Sequence, residues 1–318
     1  MPKHLSKLIV ILGPTASGKT ELGIKLAKKF NGEIICADSR TVYQEMNIGT
    51  DKPLGRPSKI KGYRAVIIEN IPHYMIDIVR PDKEFTVAQF KTRAVKIIKS
   101  IQKNKKIPFL IGGTGLYISS IVDNLEIPRV PPDKKLRNKI QKMISKHGLN
   151  YVFNKLIELD PDAKNFVQQQ NPRRIIRALE VCLKTKKPFS KLRKKGDPLF
   201  NILQIGIKIP LQELYKGINQ RTDKMIKSGL IEETKKLIKK YPPSLPLFNT
   251  IGYQEIIPYL LDSSYKINNQ DLKDISDLIK KNTRHYARRQ MTWFKRDRHI
   301  QWTKNYKEAE KSIKKFLS

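Results

Sequence analysis

Residues 8–20, LIVILGPTASGKT, decide the fold of this chain. The first five form a short continuous apolar run, which is typical of a strand buried on both faces. The next eight match the pattern G-x-x-x-x-G-K-[ST], and the apolar residues Leu22, Leu26, Ala27 and Phe30 follow on one face of a helical pattern. A strand, a glycine-rich turn and a helix in this order predict a phosphate-binding loop.

We call residues 13–20 the P-loop. Its backbone N–H groups are expected to meet phosphate oxygens at the positive end of the following helix. The Lys19 ammonium adds a point charge, and the Thr20 hydroxyl can hold Mg²⁺. The pattern therefore predicts a site for two adjacent phosphates and a metal ion, whatever group the phosphates carry. The predicted phosphate-binding residues are Gly13, Pro14, Thr15, Ala16, Ser17, Gly18, Lys19 and Thr20.

Further strand and helix patterns extend this unit into an α/β fold. The segments 33–37, apolar after Glu33, and 107–111 predict two more buried strands, and an alternating run at 202–209 predicts a strand that returns to the same sheet. Strands that alternate with helices favour a parallel sheet that binds ligands at the carboxyl ends of its strands. The expected architecture is a P-loop NTPase-like parallel sheet core with helices on both faces.

A proline-rich connection and a change to helical patterns divide the chain after the third predicted strand. We predict a core built from residues 1–125 and 199–318, interrupted by a helical insertion domain of residues 126–198. The predicted elements of the second core segment, after its first strand, are helices near 211–240 and 270–296, a short strand at 299–303 and a terminal helix.

Composition limits the partners and the compartment. The 318 residues hold 64 Lys and Arg against 29 Asp and Glu, a net charge of +35 that either favours a polyanionic partner or is spread over a solvated surface. Cys36 and Cys182 are the only cysteines, so neither a disulfide framework nor a cysteine zinc site can form. No apolar run reaches the roughly 18 residues of a membrane span. We expect a protein of the reducing cytoplasm.

Asp38 ends the second predicted strand, so its carboxylate should emerge at the same end of the sheet as the P-loop. It could hold Mg²⁺, as the acid of an ATPase or kinase does. It could instead accept a proton beside the diphosphate, because an aspartate is ionised at neutral pH and accepts hydrogen bonds from N–H or O–H groups. A third interpretation is a helix N-cap formed by Asp38 or Ser39. Spacing alone leaves all three open.

Longer motifs around these residues resemble a known family, the tRNA dimethylallyltransferases (tRNA isopentenyltransferases). The motifs are spread over nearly the whole chain in the family's order, which makes the match far more specific than a P-loop alone. They are GPTASGKT at 13–20, ADSRTVYQEMNIGTDKP at 37–53, PHYMIDIVRPDKEFTVAQF at 72–90, PFLIGGTGLY at 108–117, NPRRIIRALEV at 171–181, a segment at 221–229, IGYQE at 251–255 and HYARRQMTWFKR at 285–296.

The resemblance implies transfer of a dimethylallyl group from dimethylallyl diphosphate to the exocyclic N6 of the adenosine beside the anticodon of tRNA, at position 37. It places Asp38 as the general base, because the amino group is a poor nucleophile until it gives up a proton. Thr114 would assist at the reacting centre or the diphosphate, and Arg221 would clamp the leaving diphosphate. Mg²⁺, held by Thr20, is the implied cofactor and would neutralise the departing charge.

The resemblance also implies surfaces that bind the tRNA anticodon stem-loop, whose target base must leave its stack to reach the enzyme. Basic side chains suit phosphates and aromatic side chains suit unpaired bases, although each basic cluster alone is more typical of a solvated face. The residues expected to contact tRNA are Asp38, Ser39, Arg40, Thr41, Arg137, Arg173, Arg174, Ile175, Ile176, Arg177, Arg288, Arg289, Gln290, Trp293 and Lys295.

Small departures from the family's motifs occur at three places. Thr41 stands where glutamine is usual, Asp51 replaces a usual alanine, and Tyr74-Met75 replaces a usual His-Leu. None of them is expected to touch a residue assigned to chemistry, although Thr41 lies in a stretch expected to contact RNA.

Other functions compete with tRNA modification. A relative that prenylates free adenine nucleotides is disfavoured by the helical insertion and the basic carboxyl-terminal helix, which favour a macromolecular acceptor. A P-loop ATPase or small-molecule kinase needs a further strand that ends in an aspartate, but the strand at 107–111 ends in Gly-Gly-Thr. A non-catalytic RNA-binding protein has no use for an intact P-loop. We expect a monomer that acts on tRNA and dimethylallyl diphosphate, with no membrane partner.

Overall fold

The computed structural model describes residues 5–128, 130–262 and 265–318. The strands are β1 (Lys7–Leu12), β2 (Gly32–Ala37), β3 (Arg56–Ile60), β4 (Tyr63–Ile68), β5 (Ile71–Tyr74), β6 (Ile107–Gly112), β7 (Asn201–Ile207) and β8 (Gln301–Thr303). The helices are α1 (Lys19–Lys29), α2 (Val87–Lys103), α3 (Gly115–Val122), α4 (Lys134–His147), α5 (Leu149–Leu159), α6 (Pro172–Thr185), α7 (Leu211–Lys227), α8 (Leu230–Lys240), α9 (Ile257–Leu260), α10 (Asn269–Phe294) and α11 (Tyr306–Leu317).

The strands of the described residues form one mixed sheet in the order β3-β4-β5-β2-β6-β1-β7-β8. Every pairing from β5 to β8 is parallel, whereas β3 pairs with β4 and β4 with β5 in antiparallel fashion. β6 lies between β1 and β2, so the carboxyl ends of these three strands are neighbours. The parallel part was predicted from sequence; the antiparallel edge was not.

Successive residues of the central strands pack on opposite faces of the sheet. Leu8 and Val10 belong to an apolar cluster with α2 and α3, whereas Ile9 and Ile11 belong to a cluster with α1 and α11. All four strand residues are fully buried. Helices therefore cover both faces, which explains the continuous apolar run of β1 and confirms the α/β fold.

The chain divides into two compact units. One runs to Val122 and resumes at Leu199, and the other comprises Asp123–Pro198. The second unit is helical, since α4, α5 and α6 pack around buried apolar residues such as Val152, Leu156 and Leu179. It begins three residues before the start at 126 that the sequence indicated. Within the described residues, no helix combines the length and the apolar character needed to cross a bilayer.

Candidate active site

The P-loop joins β1 to α1 and is shaped to receive an anion. Gly18 adopts φ 77°, in the left-handed region that residues with a Cβ rarely adopt, immediately before the first turn of α1. The Ser17 hydroxyl is buried and has no hydrogen-bond partner among the described residues. The Lys19 ammonium donates to the Pro14 carbonyl at 3.1 Å. A helix N-terminus with a cation and an unsatisfied buried hydroxyl can bind phosphate oxygens.

Two backbone N–H groups of the P-loop are occupied by the protein itself. The N–H of Thr15 donates to Oε1 of Gln290 at 2.8 Å, and the N–H of Ser17 donates to the Pro14 carbonyl at 3.3 Å. The P-loop motif predicted that the N–H groups of this loop meet phosphate oxygens. For Thr15 and Ser17 the structure corrects that expectation, because their hydrogens already have acceptors inside the fold.

Asp38 follows β2, and its carboxylate shapes the turn that comes next. Oδ1 accepts hydrogen bonds from the N–H groups of Arg40 at 2.7 Å and Thr41 at 3.4 Å. This is an Asx-type turn. No helix begins at this point of the chain, where the next regular element is β3, so the N-cap interpretation is wrong.

Thr114 ties the turn after β6 to the turn after β2. Its Oγ1 accepts a hydrogen bond from the N–H of Ser39 at 3.0 Å, and its own N–H donates to the Ala37 carbonyl at 3.2 Å. Because β2, β6 and β1 are adjacent, three loops meet at the carboxyl end of the sheet. They are the P-loop, the Asp38 loop (residues 38–41) and the Thr114 loop (residues 113–114).

Arg221 reaches the P-loop from α7. Its Nη1 donates to Oγ1 of Thr15 at 2.6 Å, and its Nε lies 3.3 Å from Oδ2 of Asp51. The expectation that Asp51 touches no residue assigned to chemistry is therefore wrong. The Asp51 carboxylate thus pairs with the same guanidinium that, by the family resemblance, would bind the diphosphate.

The charges of these loops act on one another. Burial lowers the pKa of Lys19 to about 8. The carboxylates of Asp38 and Asp51 raise it, and the Arg221 guanidinium lowers it. Lys19, Asp38, Asp51 and Arg221 thus form a single electrostatic cluster around the P-loop.

Tyr286 of α10 belongs to this site, although sequence reasoning gave it no role. Burial and the nearby Asp38 carboxylate raise the pKa of Tyr286 to about 12, while Arg40 and Thr114 lower it. The hydroxyl therefore stays protonated at neutral pH beside the Asp38 and Thr114 loops. Tyr286 lies in the motif HYARRQMTWFKR. A tyrosine on a helix is equally typical of core packing, so the motif alone did not identify Tyr286 as a site residue.

The tRNA-facing residues predicted on α10 divide into exposed and interior groups. Arg288, Arg289 and Lys295 are exposed, and Trp293 is half-buried with its ring nitrogen 3.4 Å from Oγ of Ser119. Gln290 is only 6% exposed, and both ends of its amide are bonded to backbone groups. The structure corrects the assignment of Gln290 to the tRNA surface, because its side chain points into the core.

In the Asp38 loop, which was predicted to contact tRNA, Ser39 and Arg40 are half-buried beside Asp38. Thr41 is 8% exposed, and its hydroxyl has no hydrogen-bond partner in the described part of the chain. Ser39 and Arg40 are therefore accessible enough to meet a large ligand, whereas the Thr41 side chain is not.

The insertion contains the remaining predicted tRNA residues. Arg173 and Arg174 are exposed at the start of α6, and Ile176 is half-buried. Ile175 is 0% exposed and packs in the core of the unit, which corrects its assignment to the RNA surface.

A buried carboxylate organises the other two arginines of the insertion. Glu180 is fully buried and accepts hydrogen bonds from Nε and Nη2 of Arg137 at 2.8 and 2.9 Å, and from Nη1 of Arg177 at 2.7 Å. Burial alone would raise the pKa of Glu180, but these arginines and the N–H of Asp133 hold it below its ordinary value. Both guanidiniums therefore have a structural partner within their own unit.

The donor set of the site is poor in classical metal ligands. The described residues contain no group of three or more His, Cys, Asp or Glu side chains that could hold a metal ion. Thr20 is an exposed residue in the first turn of α1, next to Lys19, and carries a hydroxyl. A metal ion at this site would depend on hydroxyl, water and phosphate oxygens.

Comparisons with known proteins agree on one family. The family model described as IPP transferase matches residues 41–297. The tRNA dimethylallyltransferase of Halothermothrix orenii is 43% identical over 319 aligned residues, covering 98% of this chain and 92% of the relative. The enzyme of the same name from Acetivibrio thermocellus is 41% identical, with 98% and 96% covered.

Solved structures give the same result. The full-length tRNA isopentenylpyrophosphate transferase from Bacillus halodurans superposes with a TM-score of 0.67 at 33% identity, covering 98% of this chain and 95% of that one. A eukaryotic dimethylallyltransferase acting on tRNA superposes with a TM-score of 0.72 at 26% identity, covering 98% of this chain and 77% of that one.

Proposed function

Because the chain belongs to the IPP transferase family, we propose that it is a tRNA dimethylallyltransferase that modifies N6 of the adenosine next to the anticodon. The carbon–oxygen bond of dimethylallyl diphosphate breaks, a carbon–nitrogen bond to N6 forms, and N6 loses one proton. The observation that carries the proposal is the meeting of the P-loop with the Asp38 and Thr114 loops, because this reaction needs an anion site and a proton acceptor side by side.

The P-loop would hold the diphosphate of the allyl donor. The unpaired Ser17 hydroxyl and the Lys19 ammonium are suited to its oxygens. Arg221 already touches Thr15 and would exchange Asp51 for the diphosphate, where its planar guanidinium can bind two oxygens at once. These groups stabilise the negative charge that develops on the leaving diphosphate.

The P-loop also fits Mg²⁺ as a cofactor. Mg²⁺ in proteins keeps several waters and binds through one or two side chains together with phosphate oxygens, which suits a site whose protein ligand would be one threonine hydroxyl. Thr20 would hold the ion. When bound, the ion would neutralise charge on the diphosphate.

Asp38 would accept the proton from N6. The lone pair of this amino group is delocalised into the adenine ring, and a carboxylate that accepts one of its protons restores the nucleophilicity of the nitrogen. The N–H groups of Arg40 and Thr41 hold Oδ1 and thereby fix the direction of the carboxylate. Thr114 supports the same turn through Ser39 and would assist at the reacting centre.

Basic surfaces on both units are suited to tRNA. On α10, Arg288 and Arg289 are exposed, and Nε of Arg288 donates to the Tyr215 hydroxyl at 2.6 Å. On α6, Arg173 and Arg174 are exposed. We propose that these cations neutralise phosphates of the anticodon stem-loop, that Lys295 and Trp293 extend the α10 surface, and that Ser39 and Arg40 meet the target adenosine. Arg137, Arg177 and Ile176 would support the α6 surface.

The proposal is tested by following a labelled dimethylallyl group. The protein is incubated with Mg²⁺, labelled dimethylallyl diphosphate and one acceptor, either unmodified tRNA, AMP or ATP. We expect label only in tRNA, located by nuclease digestion and mass spectrometry at the adenosine beside the anticodon, and no label in a matched transcript with guanosine at that position. Label in AMP would instead identify an adenylate dimethylallyltransferase, and ATP hydrolysis without transfer would identify an ATPase.

The same preparation tests two smaller proposals. We propose that the protein acts as a monomer and that it works in the cytoplasm, where its tRNA substrate is found. Light scattering during gel filtration should give the mass of a single 36.9 kDa chain. A mass twice as large would contradict the monomer.

A further inference from the structure

The Gln290 side chain joins the P-loop to the Thr114 loop. Its Oε1 accepts the N–H of Thr15 at 2.8 Å, and its Nε2 donates to the carbonyl of Gly113 at 2.8 Å. Thr15 follows β1 and Gly113 follows β6, so the amide of a residue on α10 bridges the ends of two neighbouring strands. Gln290 is 6% exposed, and the bridge is therefore shielded from water that could replace either bond.

The chemistry of the bridge fits a primary amide. One end must accept from an N–H group, and the other must donate to a carbonyl oxygen. An uncharged amide does both, whereas a carboxylate only accepts, an ammonium or guanidinium only donates, and methionine offers no strong donor. Loss of either bond would leave a buried backbone group unsatisfied, which is more costly than loss of an exposed bond.

The backbone beside the bridge leaves no spare room. A Cβ at Gly113 would clash with Nε2 of Gln290, so a side chain at position 113 would displace the amide. The next residue, Thr114, accepts the N–H of Ser39 in the Asp38 loop at 3.0 Å. A continuous path of hydrogen bonds and peptide units thus runs from Thr15 through Gln290 and Thr114 to the Asp38 loop.

We propose that Gln290 is a positioning residue that fixes the spacing between the diphosphate loop and the loops that carry Thr114 and Asp38. The inference rests on the proposed function, since it gives the bridge its role of setting the distance between the leaving diphosphate and the proton acceptor. Such distances matter strongly, because a misplacement of about 1 Å can cost roughly 10²-fold in rate. The bridge also consumes the Thr15 N–H, so the diphosphate is held by other groups of the P-loop.

The test compares two glutamines of equal burial. Gln204 on β7 is also 6% exposed, but its Nε2 donates to the Asp297 carboxylate at 2.8 Å and it touches none of the three loops through a hydrogen bond. Gln290→Met and Gln204→Met each remove a buried amide while keeping a side chain of similar length. For both variants we measure the melting temperature, the Kd of inorganic pyrophosphate, the Kd of tRNA, and kcat and KM for dimethylallyl diphosphate.

We expect Gln290→Met to weaken pyrophosphate binding by about tenfold and to lower kcat by roughly 10²-fold, with tRNA affinity within about twofold of wild type. Gln204→Met should lose similar thermal stability and leave pyrophosphate affinity and kcat within about twofold. Equal pyrophosphate affinities and equal kcat values in the two variants would overturn the proposal. If the wild-type protein binds pyrophosphate but transfers nothing to tRNA, the proposed function fails, and the pyrophosphate comparison still tests the bridge.

Gln290→Glu keeps the shape of the side chain and gives an independent readout. An ionised carboxylate accepts from Thr15 but repels the Gly113 carbonyl, whereas a protonated carboxyl group can accept and donate as the amide does. We expect the loss of pyrophosphate affinity relative to wild type to shrink as the pH falls from about 8 to about 6, because burial raises the pKa of a carboxyl group. The ratio to wild type at each pH removes the titrations that both proteins share, including that of Lys19, and Tyr286 stays protonated throughout this range. A ratio of one at pH 8 would also overturn the proposal.

Discussion

At the scale of single residues, Asp38 has two tasks that a mutation can separate. In the proposed reaction its charge would accept the N6 proton, while in the structure its Oδ1 accepts the backbone N–H groups of Arg40 and Thr41. Asparagine retains an oxygen that can accept both bonds but has no basic carboxylate. We expect Asp38→Asn to lower kcat by about 10²–10⁴-fold while tRNA affinity stays within about twofold, measured by single-turnover transfer and filter binding.

Asp82→Asn is the matched control for this prediction. The Asp82 carboxylate pairs with Arg80 and makes no contact with the three loops among its hydrogen bonds and ion pairs in the described chain. The control should transfer the dimethylallyl group at the wild-type rate. Unchanged turnover in Asp38→Asn would remove Asp38 as the base.

Lys19 should make diphosphate affinity depend on pH. Burial lowers its pKa to about 8, so the free enzyme loses this positive charge as the pH rises through that value. We therefore expect the affinity for inorganic pyrophosphate to fall between about pH 7 and about pH 9, because only the protonated amine attracts the ligand. Isothermal titration calorimetry gives the Kd at each pH. Division by the curve of Lys19→Met removes the titration of pyrophosphate itself, and parallel curves for the two proteins would refute the assignment.

The residues of the site differ in how far sequence could identify them. The P-loop, Asp38, Thr114 and Arg221 lie within motifs, and the structure brings all of them to one end of the sheet. The bond from Thr15 to Gln290 spans 275 positions, and no local pattern indicates such a pair. The ion pair of Arg221 with Asp51 was likewise invisible, because a carboxylate in a loop is more typical of a solvated residue than of a partner for a distant guanidinium.

At the scale of elements, burial decides which strands the sequence reveals. β1, β2 and β6 are buried on both faces and appear as continuous apolar runs. β3 has the sequence RPSKI and is mostly exposed, so neither an apolar run nor an alternating pattern indicates a strand there. β3 is held instead by its antiparallel pairing with β4, which only the folded chain displays.

Glu180 is the element-scale test of the insertion, since it joins α4 to α6. Replacement by glutamine removes the negative charge and leaves the Arg137 and Arg177 guanidiniums beside a neutral amide. We expect Glu180→Gln to lower the free energy of unfolding of this unit by roughly 1–3 kcal/mol, because the two partly exposed guanidiniums regain some solvation, measured by urea unfolding with limited proteolysis of residues 123–198. The exposed Glu158 of α5 gives the control, Glu158→Gln, which should lie within about 0.5 kcal/mol of wild type.

The same carboxylate predicts the direction of the pH dependence. The pKa of Glu180 is lower in the folded unit than in an unfolded chain, where it is about 4.3. Its stabilising contribution is therefore fully present above about pH 4.3 and is lost as the pH falls through the lower folded value. Superimposable unfolding curves of wild type and Glu180→Gln at neutral pH would contradict this account.

At the scale of the whole molecule, the distribution of positive charge predicts different salt dependences for the binding of the two substrates. A net charge of +35 far exceeds what a diphosphate site needs, and part of it is carried by exposed arginines of α6 and α10. In the proposed reaction, dimethylallyl diphosphate would meet a few partly buried groups, whereas tRNA would meet exposed cations. Salt screens exposed charges much more than buried ones, so the two affinities should respond differently to ionic strength.

We expect the tRNA association constant to fall steeply and linearly with salt on a double logarithmic scale, because each neutralised phosphate releases a counterion. Replacement of Arg173 and Arg174 by alanine should reduce that slope by about 1.5, the value for two lost phosphate contacts. Replacement of Lys311 and Lys315, two exposed cations of α11, removes the same charge outside the proposed surface and should leave the slope unchanged. Fluorescence anisotropy with labelled tRNA at several salt concentrations measures all three slopes. Equal slopes for the two double variants would show that tRNA responds to the total charge of the protein and not to the α6 surface.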